Sequence, residues 1–594
     1  MKKIFIISCF IILTFIACNK IKKGNRTIEK TMMDTFCENY YEEYLHFYPL
    51  DATMQGDNRF NDELPNDLSQ QFKSELKAFC QKYLDKINKL DTSKLSAQDN
   101  INFKVLKGEI ILRLDGLKFH DEYLPVNQFV SLTLLFPQLG SGESLQPFKT
   151  IKDYKDFLKR IDCFAVWCDT AVVNMRKGIA AGIANPKAIM IKTLPQLKSI
   201  IIQDTIQNIF YKPINHFPEN FTQSEKDSLK TLYISAIKQK VIPSFQKLYE
   251  FIEKEYILAC RTTSGLYGTP YAKERYEYAI RYHTGTSLAP DSIYRLGLSE
   301  VKRIREEMEI VKKQVGFKSS LHDFFEYTTN DRQFKPFHSP HEVLDYYRVL
   351  PKRMEPRIEE MFHLKPKTRF EVRQTEKFRE ASSSAEYIQA SADGTRPGIF
   401  YVPVNNPEEY NMITMESTFL HEAIPGHHYQ ISIQQEIKNM PRFRKFGGNN
   451  AYIEGWALYA ESLGKELGLY TDPYEYFGRL TNEVHRAIRL VVDVGLHAKG
   501  WTREEAIAYM KENEAISDAE AISEIERYMA WPGQALSYKI GELKIKELRK
   551  KAENALGKRF RISDFHDQIL NEGCLPLNIL EDKIMKWIDD EKRK

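Results

Sequence analysis

The chain has 594 residues, of which 42% are hydrophobic and 28% charged, with a formal net charge of +4. That length is ample for a large buried core or for more than one domain. The near balance of charge, without a dominant basic block, argues against a nucleic-acid partner, and the lack of a Gly-x-Ser-x-Gly elbow, phosphate loop or dinucleotide fingerprint removes support for serine hydrolase, nucleotide hydrolase and oxidoreductase chemistry.

The first eighteen residues, MKKIFIISCFIILTFIAC, read as a targeting segment. Lys2 and Lys3 supply the positive start, Ile4 to Ile16 the apolar run, and Ala17 the small residue before Cys18. The run is too short to cross a hydrocarbon layer of about 30 Å comfortably. Phe15-Ile16-Ala17-Cys18 resembles a bacterial lipobox, with Phe15 where leucine is usual. The expectation is a signal peptide over 1–18, a lipid on Cys18 that holds the protein to a membrane, a polar tether over 19–30, and a place in the bacterial envelope, periplasm-facing or at the outer membrane. Beyond these, Cys37, Cys80, Cys163, Cys168, Cys260 and Cys574 form no Cys-x-x-Cys pair and are expected to be buried thiols or occasional disulfide partners.

Most of the remaining chain repeats apolar residues at helical spacing. The pattern covers Glu225 to Tyr256, then Asp291 to Gln314, where Ile293, Leu296, Val301, Ile304, Met308 and Val311 follow Pro290 as a start signal, and later Thr502 to Glu512 and Gly541 to Leu556. The best strand signal is Gly398-Ile399-Phe400-Tyr401-Val402-Pro403, bounded by Arg396-Pro397 and Asn405-Asn406-Pro407. With no fixed-period repeat, the reading is a mainly α protein: an N-terminal helical region over 31–255 and a C-terminal catalytic region over 256–594, with a small β element next to the metal helix.

Phe419 to Gln430, FLHEAIPGHHYQ, begins like the helix of a zinc peptidase and then departs from it. In His-Glu-x-x-His the two imidazoles stand four residues apart, about 6 Å along one helix face, and reach one ion. Here Pro425 takes the second position, and the candidates become His427 and His428. Proline has no N–H for the His421 carbonyl and glycine tolerates unusual angles, so a looped turn at Ala423-Ile424-Pro425 would act as a two-residue insertion and favour His427; on an undisturbed helix His428 would return to the face of His421 instead. Glu454, on the apolar and aromatic stretch AYIEGWALYAESLG, is the candidate third ligand, with Glu461 two turns on to orient a histidine from behind. Glu422 would be the general base.

The blocks HEAIPGHHYQ, YIEGWALYAESLG, RLVVDVGLHAKGW, ERYMAWPGQALSYKIGELKI and FHDQILNEGCLPLNILE, in that order, resemble the bacterial family known as domain of unknown function 885, from about residue 30 nearly to the end. Members of that family look like gluzincin metallopeptidases, the class of thimet oligopeptidase, carboxypeptidase Taq and angiotensin-converting enzyme, which are largely helical around a deep cleft. The resemblance implies Zn2+ as cofactor, His421, His427 and Glu454 as its ligands, and Glu422 as the base. Arg527-Tyr528 looks like the Arg-Tyr pair of angiotensin-converting enzyme, which makes Tyr528 the expected oxyanion donor and Tyr538 the alternative. By the same likeness the Gly398–Pro403 strand is expected to offer an edge to an extended peptide. Arg527 and Lys539 are candidates for a substrate carboxylate or plain helix charges, and Asp493, His497 and His566 are expected to be internally satisfied.

The function these residues point to is zinc-dependent hydrolysis of peptide bonds by an envelope-tethered protein acting on small peptides. The competing expectation is a lipoprotein that binds a ligand on a peptidase-like scaffold without turning it over.

Overall fold

The periodicity around Ile304 becomes the helix Pro290–Gln314, with Ile293, Val301, Ile304, Met308 and Val311 buried along one face. The structure, a computed structural model, describes residues 31–380, 383–391 and 396–594. The expected signal peptide, the tether and Cys18 lie outside the described residues.

Helices dominate. Met32–Phe47 and Ile151–Ala180 each begin in a capping box, Thr31 with Asp34 and Thr150 with Asp153, which satisfies backbone N–H groups that a helix start leaves free. The stretch expected to be helical from Glu225 runs from Gln223 to Ala259 and widens into π turns at Ile237–Val241 and Ile252–Tyr256. Pro243, with no N–H to give, follows the first of these wider turns. Arg503–Asn513 and Ser537–Leu556 complete the expected helices to within a few residues.

One core, drawn from residues between Leu64 and Tyr256, is rich in aromatic side chains; Phe136 and Phe164 stack at 4.3 Å. A second lies beneath the first helix, where Tyr40, Phe79 and Tyr83 are joined by Phe443 from far along the chain. The other two surround the candidate site. Trp456, Phe400 and Phe419 belong to one, and Val484, Val491 and Ile525 to the other. The Pro473–Ala498 helix is buried almost all round from Ala487 to His497, the pattern of an element packed on every side.

The three strands are β1 (Phe370–Gln374), β2 (Glu386–Ile388) and β3 (Gly398–Val402), in the order β1-β3-β2. The sequence reading of Gly398–Pro403 as an edge strand is corrected here: β3 is the central strand, parallel to β1 and antiparallel to β2. Its near-continuous apolar run fits that place, since both faces and both edges are covered.

None of the six described cysteines is in a disulfide. Among the described residues no helix is long and apolar enough to cross a membrane.

Candidate metal centre

The helix Met415–Glu422 ends where its hydrogen bonding must fail. Ala423 still donates to the Phe419 carbonyl at 2.8 Å, but two residues later Pro425 has no N–H for His421. The backbone turns away at Ala423 (φ −111°, ψ −102°) and again at Gly426 (φ −72°, ψ −129°), and a new helix, His427–Glu436, begins. The Ile424–Pro425 peptide is cis. A Cβ on Gly426 would run into the carbonyl oxygens of His421 and Leu420, so only glycine lets the chain double back this closely.

This reversal brings His427 beside His421. Their rings stand 4.8 Å apart, centre to centre, at 88°. The Glu454 helix, Asn450–Ser462, is started by the Asn449 side chain, which accepts from the Tyr452 N–H. It lays the Glu454 carboxylate 3.6 Å from both His421 Nε2 and His427 Nε2. One donor atom from each of the three lies within 4.8 Å of the other two, a group that could hold a metal ion.

His428 points elsewhere. Its Nδ1 meets Tyr387 Oη at 3.1 Å and Ser432 Oγ at 3.3 Å, and its ring lies on Phe370 from β1. Burial pushes its pKa down to about 4, so it is a neutral tie between the His427 helix and the sheet.

Behind His421, Nδ1 is 2.8 Å from Glu461 Oε1, while Ser417 donates to Glu461 Oε2 at 2.8 Å. This bond keeps the proton on Nδ1 and turns Nε2 toward Glu454, the tautomer a metal ligand needs. Burial disfavours a charge on His421, yet the Glu454 and Glu461 carboxylates outweigh it and lift the pKa to about 9. Burial likewise resists the charge on Glu454, and both histidines hold it far below the usual carboxylate range. A buried carboxylate facing two imidazoles in this way suits a bound cation. His427 Nδ1 is buried without a hydrogen-bond partner, leaving that ligand unbraced where His421 is braced. The Glu422 carboxyl is raised by burial, with Glu454 adding to the rise and His421, His427 and Arg486 opposing it.

Of the two tyrosines, Tyr528 is fully engaged: its hydroxyl donates to Glu524 at 2.5 Å and accepts from Arg489 Nε at 2.9 Å. Tyr538 is half-buried, with the Arg489 guanidinium 4.4 Å over its ring, and burial followed by the Glu454 charge raises its pKa. Its helix reaches the Glu454 helix because Gly541 and Gly455 meet backbone to backbone; a Cβ on either would collide with the other helix. Lys539 is buried completely among Glu483, Glu542 and Glu300 at 2.7, 2.7 and 3.1 Å, and has nothing left for a substrate. Arg527 is held by Glu524 and Gln534.

Asp493 and His497 do not bond each other. Asp493 accepts from Tyr276 Oη and the Gly533 N–H, and His497 meets the Leu266 N–H and the Tyr528 carbonyl. His566 is satisfied by Tyr459 and the Met361 carbonyl. Sequence reasoning passed over Arg486 and gave no role to Arg489, although Arg489 opens the block RLVVDVGLHAKGW. Their signal was the spacing Asn482, His485, Arg486, Arg489, a polar stripe on an otherwise buried helix.

A cavity of about 780 Å³ opens between the first helices and the C-terminal half, lined among others by Tyr44, Arg113, His283, Asn450 and Trp531. None of the three donors lines it; Asn450, one turn before Glu454, is the nearest link. Its size is that of a small-ligand chamber.

The chain is similar to two solved structures, each designated a "putative lipoprotein". That from Colwellia psychrerythraea is 28% identical, with a TM-score of 0.86 over 94% of this chain and 99% of that one. That from Shewanella oneidensis, of unknown function, is 17% identical, with a TM-score of 0.73 over 94% and 100%. A carboxypeptidase from Pyrococcus furiosus is a weaker likeness, 10% identical with a TM-score of 0.41 over 95% and 99%. No curated protein matches. The model of the family described as bacterial protein of unknown function DUF885 matches residues 49–584, and the chain belongs to that family.

Proposed function

We propose that the protein is a zinc-dependent hydrolase of peptide bonds, of gluzincin type, tethered in the bacterial envelope through lipid on Cys18 and acting on small peptides. The observation that carries this reading is the convergence of His421, His427 and Glu454, from two helices broken at Pro425 and a third, with Glu422 beside them. Two imidazoles and a carboxylate with a position to spare are the donor set of a catalytic zinc site. When bound there, Zn2+ would polarise a carbonyl and lower the pKa of water.

The chain's own groups supply the rest. Glu422, its carboxyl raised by burial, is placed to take the proton of the attacking water and to hand it to the leaving amine. Tyr538 is the better donor to the developing oxyanion than Tyr528, whose hydroxyl already has two partners. Glu461 and Ser417 hold His421 in its ligating tautomer.

The test is metal analysis together with mass spectrometry of a mixed peptide library. One zinc per chain and cleavage that chelation abolishes are expected, and Glu422→Gln should keep the metal while losing about 10²-fold or more in rate. Cleavage that persists in His421→Ala would remove the reading.

A further inference from the structure

The chamber of about 780 Å³ takes no part in the metal centre, and its wall carries large aromatic rings that stay exposed. Trp531 is 37% exposed and Tyr282 51%. His283 is buried with its ring edge-on to both, 5.8 Å from Trp531 at 81° and 4.9 Å from Tyr282 at 88°. The Asn450 amide donates to His283 Nδ1 at 2.9 Å, so the imidazole proton sits on Nε2, which meets no partner among the described residues. Burial keeps this ring neutral, its pKa pushed down to about 4. Beside it, Asn449 spends its side-chain oxygen on the Tyr452 N–H and keeps its NH2, while Asn450 spends an N–H and keeps its oxygen.

The charged groups of the wall are already engaged. Arg113 pairs with Glu109 at 3.0 Å, Arg281 with Asp115 at 3.5 Å and Lys104 with Asp582 at 2.9 Å. Asp51 accepts from the Tyr44 hydroxyl. Arg444 gives its terminal nitrogens to Asn102 and to the Glu572 carbonyl, and its Nε is enclosed. A free ion would have to break one of these arrangements to bind. Main-chain groups are scarce too: the Arg444 and Gly447 carbonyls accept from Gln434 Nε2 at 2.8 and 2.9 Å, and the Asn449 N–H goes to Cys574 Sγ. A peptide held by its main chain finds few partners there. A hydrocarbon would leave the amides and the imidazole unpaired. What stays open is a set of neutral side-chain donors and acceptors next to flat apolar rings.

That set fits a sugar. A pyranose has a C–H face that lies on an aromatic ring and a rim of hydroxyls, each both donor and acceptor, which an amide NH2 and an amide oxygen side by side can bond together. We infer that the chamber is a second site, separate from the metal donors, that binds a neutral saccharide, with Trp531 and Tyr282 against the ring faces and Asn449, Asn450 and His283 on the hydroxyls. The volume is that of a small-ligand pocket, and the assignment does not depend on the peptidase reading.

The full chain is titrated calorimetrically with maltotriose, cellotriose and chitotriose, each also in competition with N-acetyl-trialanine amide and with inorganic phosphate. At least one trisaccharide should bind with a dissociation constant of about 1 mM or tighter, before and after chelation of metal, and neither competitor should displace it. Trp531→Ala and Tyr282→Ala should each weaken binding about tenfold, whereas Trp531→Phe, which keeps a ring, should retain part of it. Circular dichroism checks that each variant is folded; if Trp531→Ala is not, Tyr282→Ala and Trp531→Phe carry the test. Failure of all three sugars to bind overturns the inference, and so does affinity that is unchanged in the folded variants. Displacement by the peptide amide would assign the chamber to a peptide, displacement by phosphate to an anion, and loss of binding on chelation would put the sugar at the metal centre; each of these overturns it too.

Discussion

Trp456 donates its indole N–H to the Pro425 carbonyl at 2.8 Å. The Glu454 helix therefore grips, two residues from its own candidate ligand, the turn that sets the spacing of His421 and His427. A buried bond of this kind couples all three donors through one contact.

Trp456→Phe keeps the ring and removes the donor, leaving the Pro425 carbonyl unpaired at a cost of about 1–3 kcal/mol. The turn loosens and zinc affinity should fall about tenfold or more, read by competition with a chromophoric chelator. An affinity equal to that of the parent would show that the turn holds itself.

Gly426→Ala drives a methyl into the His421 and Leu420 carbonyls. The doubled-back chain has to open, at about 1–3 kcal/mol or more by the usual cost of overpacking. Thermal unfolding should show the loss of stability, and zinc content should fall with it. A variant with parental zinc content and parental melting temperature would contradict the tight approach.

Glu461→Gln exchanges a carboxylate for an amide behind His421, whose Nδ1 it now meets at 2.8 Å. Loss of such a brace typically weakens metal affinity 10–100-fold. Metal titration at fixed pH should show a drop in that range, with the fold intact by circular dichroism. The same substitution at Glu466, which pairs with Arg549 near the surface, should change affinity little.

Asp493 supplies a pH dependence away from the metal. Burial, against the lowering effect of its bonds from Tyr276 and Gly533, pushes its pKa up to about 7, whereas an unfolded aspartate titrates near ~4. The folded state thus holds a proton that the unfolded chain releases. The stabilisation is fully present below about pH 4 and is lost as pH rises through 7. Asp493→Asn removes the titration, so its melting temperature should gain on that of the parent between pH 5 and pH 8. A gap that stays constant across that interval would mean that Asp493 is ionised throughout.

The sequence made the candidate site legible to an unusual depth, because its parts are local. Pro425 has no N–H for the His421 carbonyl and Gly426 tolerates unusual angles, so backbone chemistry favoured His427 while leaving His428 open, and the structure brings His427 to His421. Glu454 stood out as a charge in an apolar stretch. What escaped depends on partners far along the chain. The β3 run looked like an edge because one strand's sequence does not reveal that β1 and β2 flank it on both sides. Tyr528 and Tyr538 are equivalent by type, and only Glu524 and Arg489, which occupy the first, separate them. Lys539 read as a plain helix charge because two of its three carboxylates, Glu300 and Glu483, come from other helices.

The backbone contact between Gly455 and Gly541 limits how these two helices can move. Two helices touching through their main chains have no side chains between them to rearrange, so the wall carrying Glu454 and the wall carrying Tyr538 travel as one body. Motion in this region cannot part those two helices. The freedom that remains lies elsewhere, where the first helices meet the C-terminal half across the large chamber.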